Sequence, residues 1–274
     1  MRISKLEAGL NYLILAVFAA FALVPFAGVI LTALSPQSQA AAGFSVPSRP
    51  SFGNFVSAWT VGRFSDYMLS SVIVDVAVVI LSLALVIPAG YAFARMRFRF
   101  SGPIFALLLL GLIIPEEAII IPLYYDMRSA GLVDTYWSLI FPQVAQSLAF
   151  GTFWMRASFR TFPQAIIDSA RIDGATDFRV LRSILVPASR PAITTLILLL
   201  AMWTWSEFLI PLVMISGNAF RTAPLGLAFF QGEHTTDYAL LSAAALIIAA
   251  PIVLLYLFLQ RSFIAGMLSG ALKH

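Results

Sequence analysis

The chain has 274 residues, 60% of them hydrophobic and only 11% charged, with a mean hydropathy of +0.92. Soluble domains carry about a quarter charged residues, so a soluble, disordered or coiled-coil protein is excluded and an integral membrane protein remains. There is no cysteine, which removes disulfides, thiolate metal sites and cysteine nucleophiles, and 17 basic against 13 acidic residues leave a net charge of +4.

Apolar runs of about 20 residues are long enough to cross the hydrocarbon as helices. They predict an all-α polytopic protein with spans over 10–34, 71–94, 103–125, 136–155, 191–215 and 238–260. Each run is too continuous for a barrel strand. The first is longer than the apolar region of a cleaved signal, about 7–15 residues, and reads as a permanent span. With the N-terminus inside, 13 of the 17 basic residues fall on the cytoplasmic side, against Arg49, Arg63, Arg128 and Arg221 outside. Basic residues favour the cytoplasmic face, so six spans with both termini inside is the predicted topology. One membrane domain covers 1–274.

Chemistry is sparse. His234 falls in an outer loop and His274 ends the chain. Lys5 and Lys273 are the only lysines and neither follows a glycine, so the phosphate-binding loop G-x-x-x-x-G-K-[ST] is absent. No catalytic residue, metal site or bound cofactor is predicted, and any ATP must be held by another chain.

The longest inner segment, 156–190, reads as two short helices around a turn. Thr161 is placed to cap the first, with Pro163 in its opening turn. Gly174 ends it in a left-handed conformation, and Thr176 caps the second. Phe178, Leu181, Ile184 and Leu185 then recur at helical spacing opposite Arg179 and Arg182, and Pro187 stops the helix. Ser169, Ala170, Gly174 and Ala175 are small enough to let another surface approach closely. A membrane-surface hairpin and a docking element both fit this pattern.

The run Asp168-Ser169-Ala170-Arg171-Ile172-Asp173-Gly174-Ala175 is followed, nine residues after Gly174, by Ile184-Leu185-Val186-Pro187. It resembles the EAA loop of ATP-binding-cassette (ABC) importer permeases, E-A-A, three residues, G, nine residues, I-x-L-P. Asp168, Ser169 and Val186 depart from that consensus. Further stretches narrow the resemblance to the carbohydrate-uptake branch, among them Ile121-Pro122-Leu123-Tyr124, Gly131-Leu132-Val133-Asp134-Thr135 and Trp205-Ser206-Glu207-Phe208-Leu209. Ser206 stands where that branch usually has asparagine, and Ser70-Ser71 where it has Asn-Ser.

The resemblance implies a sugar importer in the bacterial cytoplasmic (inner) membrane. This chain pairs there with a second homologous permease subunit, two identical ATPase subunits carrying ATP and Mg, and an extracytoplasmic sugar-binding protein or lipoprotein; no nucleic acid is involved. Asp168, Ser169, Ala170, Asp173, Gly174, Ala175, Ile184 and Pro187 are the expected ATPase-coupling residues. Charge inside a span is costly and suggests function. Glu207, four residues after Trp203, is expected on the same helix face, where an aromatic ring and a carboxylate suit a sugar; interhelical glue is the other reading. Glu117, Tyr124 and Trp205 complete the expected pathway, with one of Glu116 and Glu117 facing it, while Asp75 lies near the outer end of its span. Gly217, Asn218, Gly232 and Glu233 in the outer loop are the expected contacts to the binding protein. A gradient-driven secondary transporter, coupled through Asp75, Glu116, Glu117 and Glu207, is the alternative; it leaves the inner two-helix segment unexplained.

Overall fold

The structure, a computed structural model, describes residues 5–40, 46–231 and 236–271, with Lys5 and 261–271 as backbone alone. It is all-helical: among the described residues the only extended pairing is an isolated bridge between Gln231 and Thr236. The helices are α1 (Lys5–Ala33), α2 (Gly53–Val61), α3 (Phe64–Arg95), α4 (Ser101–Leu110), α5 (Glu116–Ser129), α6 (Trp137–Arg160) and α7 (Gln164–Ile172). They continue with α8 (Asp177–Val180), α9 (Val186–Ala188), α10 (Arg190–Ser206), α11 (Leu209–Met214), α12 (Ala223–Gly226) and α13 (Tyr238–Ala271). A π-helical turn fills Leu181–Leu185, and a 3-10 turn Leu227–Phe230.

Leu6–Ala33, Phe64–Arg95 and Tyr238–Gln260 are helices long and apolar enough to cross a membrane. Two of the predicted spans are not continuous. The third is split between α4 and α5, and the fifth between α10 and α11. Both splits fall four residues before a proline, at Gly111 before Pro115 and at Glu207 before Pro211. A proline ring clashes with the carbonyl four residues earlier and offers it no N–H. Pro187 acts differently from its expected role as a stop: α9 runs through it, and the preceding turn widens so that the Val186 N–H bonds the Leu181 carbonyl. The chain turns instead at Ser189, where α10 leaves at 79°.

Contacts divide the chain into two units, Met1–Ser65 with Gly226–Ala250 and Asp66–Leu225 with Pro251–His274. In the first, the most apolar stretch of α1 is wholly unburied. Asn54 of α2 donates to the carbonyls of Ala33 and Ser35, both at 2.8 Å, satisfying two acceptors left over where α1 ends. Phe64 and Phe230 stack at 6.2 Å, and Asp237 caps α13 by accepting from Leu240 N–H at 3.0 Å.

In the second unit α10, α4 and α11 pack against α6, and α3 approaches α6 closely at two glycines. A Cβ added at Gly90 would lie 2.6 Å from Met155 Cβ and 3.0 Å from the Arg156 nitrogen; one at Gly151 would lie 2.8 Å from a Val86 methyl. Glycine on both helices therefore sets their separation, as small residues do between membrane helices. Around this crossing, Val86, Tyr91, Met155, Phe159, Leu196 and Leu200 form one core with Ile167, Val180, Leu181 and Leu185 of the inner segment. Val74, Ile120, Leu139, Ile210 and Met214 belong to another.

Because backbone opposes the missing methyl, Gly90→Ala is expected to destabilise the protein by about 1–3 kcal/mol. Gly53→Ala, with nothing within 4 Å of the new methyl, serves as the control. Thermal unfolding in detergent checks this: the melting temperature falls for the first variant only.

Candidate functional site

The inner segment has a buried side and a presented side. Ile167, Val180, Leu181 and Leu185 are buried in the core shared with α3 and α6, each contributing roughly 1.5–3 kcal/mol by removal from water. Ala170 and Ala175 pack against that core. Asp168, Ser169, Asp173 and Gly174 are exposed, Ile184 is half-buried and Pro187 exposed. Asp168 accepts from Gln164 Nε2 at 2.9 Å, one turn earlier on α7. Ile172 and Phe178 are also exposed, at 87% and 69%. The spacing placed Phe178 with the buried leucines; it lies instead in the first turn of α8, before the inward-facing stripe begins.

Gly174 has φ of +79°, and its N–H bonds the Arg171 carbonyl while the Ala175 N–H reaches Ala170 O at 2.9 Å. This pair of bonds is the Schellman ending, which needs a left-handed residue. Thr176 caps α8 through Arg179 N–H. Thr161 does not cap α7: it closes α6, its hydroxyl donating to Ser158 O, and Pro163 holds the capping position.

Two polar clusters fasten this segment to the end of α3. Arg95 donates through Nη2 to the carbonyls of Phe159 (2.6 Å) and Phe162, and through Nη1 to Gln164 Oε1 at 2.9 Å. Tyr91 donates to Asp177 Oδ1 at 2.8 Å, and Arg171 to the same oxygen at 2.7 Å. The Arg171 hydrogen bond, then that of Tyr91, holds the Asp177 carboxyl below the usual carboxylate range. Arg156 adds a bond to Phe93 O and lies over the Phe105 ring at 3.9 Å.

Farther along the same unit, a cavity of about 510 Å³ lies between α5, α6 and α10, lined by Glu116, Gln143, Gln146, Phe150, Trp203 and Glu207. Trp203 is half exposed and meets Phe150 edge-on at 4.9 Å. Glu207 follows the last residue of α10, so it reaches the cavity from a helix break and not from a continuous face with Trp203. Its Oε1 accepts from Ile210 N–H at 3.0 Å, capping α11. Glu116 lines the cavity and Glu117 does not; Trp205 is buried elsewhere, and Tyr124 packs against Tyr125 and the Val74 cluster.

The loop after α11 is anchored by Asp134, a residue that spacing alone did not single out. At φ +59° it accepts from Ser216 N–H, Ser216 hydroxyl and Gly217 N–H, and the Ser216 hydroxyl first among these holds its carboxyl low. Gly217 is thus fixed, Asn218 is exposed, and Gly232 and Glu233 lie outside the described residues. Ser71 caps α12 by accepting from Ala223 N–H at 2.8 Å.

This helical architecture is that of an ABC importer permease. It superposes with a TM-score of 0.80 on a chain of a bacterial ABC transporter involved in the import of the acidic polysaccharide alginate, covering 96% of this chain and 99% of that one at 20% identity. Residues 86–268 match the binding-protein-dependent transport system inner membrane component family, to which the chain belongs. It is 32% identical over 93% of both chains to the arabinooligosaccharides transport system permease protein of Halalkalibacterium halodurans. It is 29% identical to the diacetylchitobiose uptake system permease protein of Streptomyces coelicolor, over 97% of this chain and 89% of that one.

Asp177 ionises more readily folded than unfolded, so its contribution is complete above the unfolded value of about 3.9 and is lost as pH falls through the lower folded value. Amide-exchange protection of α7 and α8, corrected for intrinsic rates, is therefore expected to stay flat from pH 5 to 8 in the wild type. Asp177→Asn is expected to lower it throughout that range.

Proposed function

We propose that this chain is one of two permease subunits of an ATP-driven, binding-protein-dependent sugar importer of the bacterial inner membrane, a single transmembrane domain of six spans with both termini in the cytoplasm. In this reading α4–α5 and α10–α11 are broken spans, and the 13-to-4 partition of basic residues supports the orientation. The observation that carries the reading is the two-sided inner segment: one face sealed into the core of the spans, the other presenting Asp168 and the Gly174 turn. Such an element transmits force from a soluble partner because it moves only with the helices it is buried among. ATP and Mg belong to a pair of ATPase subunits; this chain has no lysine placed to hold a nucleotide phosphate. The relatives named for arabinooligosaccharides and diacetylchitobiose support a sugar substrate.

In the mechanism, the binding protein docks over the outer loop held by Asp134, and released sugar enters the cavity of Glu116, Trp203 and Glu207. Sugar rings have apolar faces and polar edges, which an indole and carboxylates match. ATP-driven closure of the ATPase subunits draws the Asp168–Ala175 turn, and with it α3 and α6, between inward- and outward-facing arrangements.

Asp168→Lys is expected to reach the membrane but to lose about one to two orders of magnitude in ATPase-subunit affinity, the equivalent of a charge-assisted hydrogen bond of roughly 1.5–3 kcal/mol. Gly174→Val, strained at φ +79°, is expected to insert normally and fail to transport. Co-purification and uptake assays check both; normal uptake by both overturns the reading.

Glu207→Gln keeps an oxygen for the Ile210 N–H and removes the charge. It is expected to impair uptake while assembly and basal ATP hydrolysis persist. Loss of the assembled complex instead would make Glu207 purely structural.

A further inference from the structure

The cytoplasmic end of α3 opens into a cavity of about 900 Å³ that the transport reading does not use. Five arginines line it, Arg95, Arg97, Arg156, Arg160 and Arg171, against a single carboxylate, Asp177. Three of the five are committed: Arg171 to Asp177, Arg156 to Phe93 O, and Arg95 to the two carbonyls and Gln164. Arg97 and Arg160 are exposed and have no acceptor among the described residues, and Arg95 Nε is buried without one. Packing like charges around one space is unfavourable unless an anion occupies it. The volume falls in the range of small-molecule sites, and the uncommitted guanidinium groups of Arg97 and Arg160 offer the fork geometry that suits phosphate oxygens.

The setting narrows the source of the anion. The cavity begins where the apolar run of α3 gives way to Arg95-Met96-Arg97-Phe98-Arg99-Phe100, and Met96, Phe98 and Phe100 are exposed at 45%, 39% and 59%. Exposed aromatic residues alternating with arginines at the end of an apolar helix match the headgroup layer, where basic pockets meet acidic lipids.

We propose that this cavity binds a phosphate-bearing anion, supplied by the headgroup of an acidic membrane lipid or by a soluble phosphorylated compound. Bound there, the anion bridges the α3 end, the α6 end and the start of the inner segment, and so stiffens the joint between membrane and coupling surface.

The test uses the assembled importer in lipid nanodiscs, with native mass spectrometry as the readout. In phosphatidylcholine discs containing phosphatidylglycerol, the wild type is expected to retain phosphatidylglycerol. The double variant Arg97→Gln/Arg160→Gln is expected to lose that retention by roughly tenfold, while Arg97→Lys/Arg160→Lys recovers part of it. A soluble source is distinguished in discs of pure phosphatidylcholine: saturable binding of sn-glycerol 3-phosphate, abolished in the glutamine variant, supports the same site filled from the cytosol. Equal retention of both probes by wild type and glutamine variant overturns the proposal. So does shedding of the ATPase subunits by the glutamine variant whatever the lipid, because the arginines then serve a protein contact.

Discussion

Arg95 stands where three elements meet. Its guanidinium takes the carbonyl of Phe159 from the last turn of α6, the carbonyl of Phe162 from the link, and the side chain of Gln164 at the start of α7. The end of a helix leaves carbonyls unpaired and carries partial negative charge, so a cation is the natural closure. Here that cation comes from a different helix. One side chain therefore ends α6, sets the entry of α7 and ties both to α3. Tyr91, one turn earlier on α3, does the same for α8 through Asp177. The glycines at 90 and 151 make the arrangement possible by bringing α3 and α6 close enough for those reaches.

The presented face depends on this closure. Ile167, Val180, Leu181 and Leu185 bury the inner side of the segment, while the Schellman turn at Gly174 fixes how α7 leads into α8. Motion applied to Asp168 or the turn is thus shared with α3 and α6. α6 and α10 in turn carry walls of the Glu116–Glu207 cavity, and both contribute to the core that buries Ile167 and Leu185.

Much of this was legible in the chain. Helical character, the apolar runs and the inner two-helix segment follow from hydropathy and from Gly174 and Thr176, whose local chemistry decides their place without help from the rest of the fold. The breaks within the third and fifth runs were not, although their cause is local. Pro115 and Pro211 stand at breaks, while Pro25, Pro88, Pro142 and Pro251 sit inside continuous helices, so a proline in an apolar run does not by itself say which helix breaks. The Glu207 cap on α11 compensates one break. Thr161 was misplaced because a threonine two residues before a proline fits the end of one helix as well as the start of the next. The Arg95 and Asp177 clamps and the Asp134 anchor join residues 64 to 86 positions apart, beyond the reach of any local pattern.

The central claim is that the bonds at the end of α3 convert movement of the inner segment into movement of the spans. The direct measurement is the number of sugar molecules transported per ATP hydrolysed, in proteoliposomes holding the assembled importer, for the double variant Tyr91→Phe/Arg95→Gln. The account predicts that the variant assembles and hydrolyses ATP while the ratio collapses. An unchanged ratio with normal hydrolysis would contradict it.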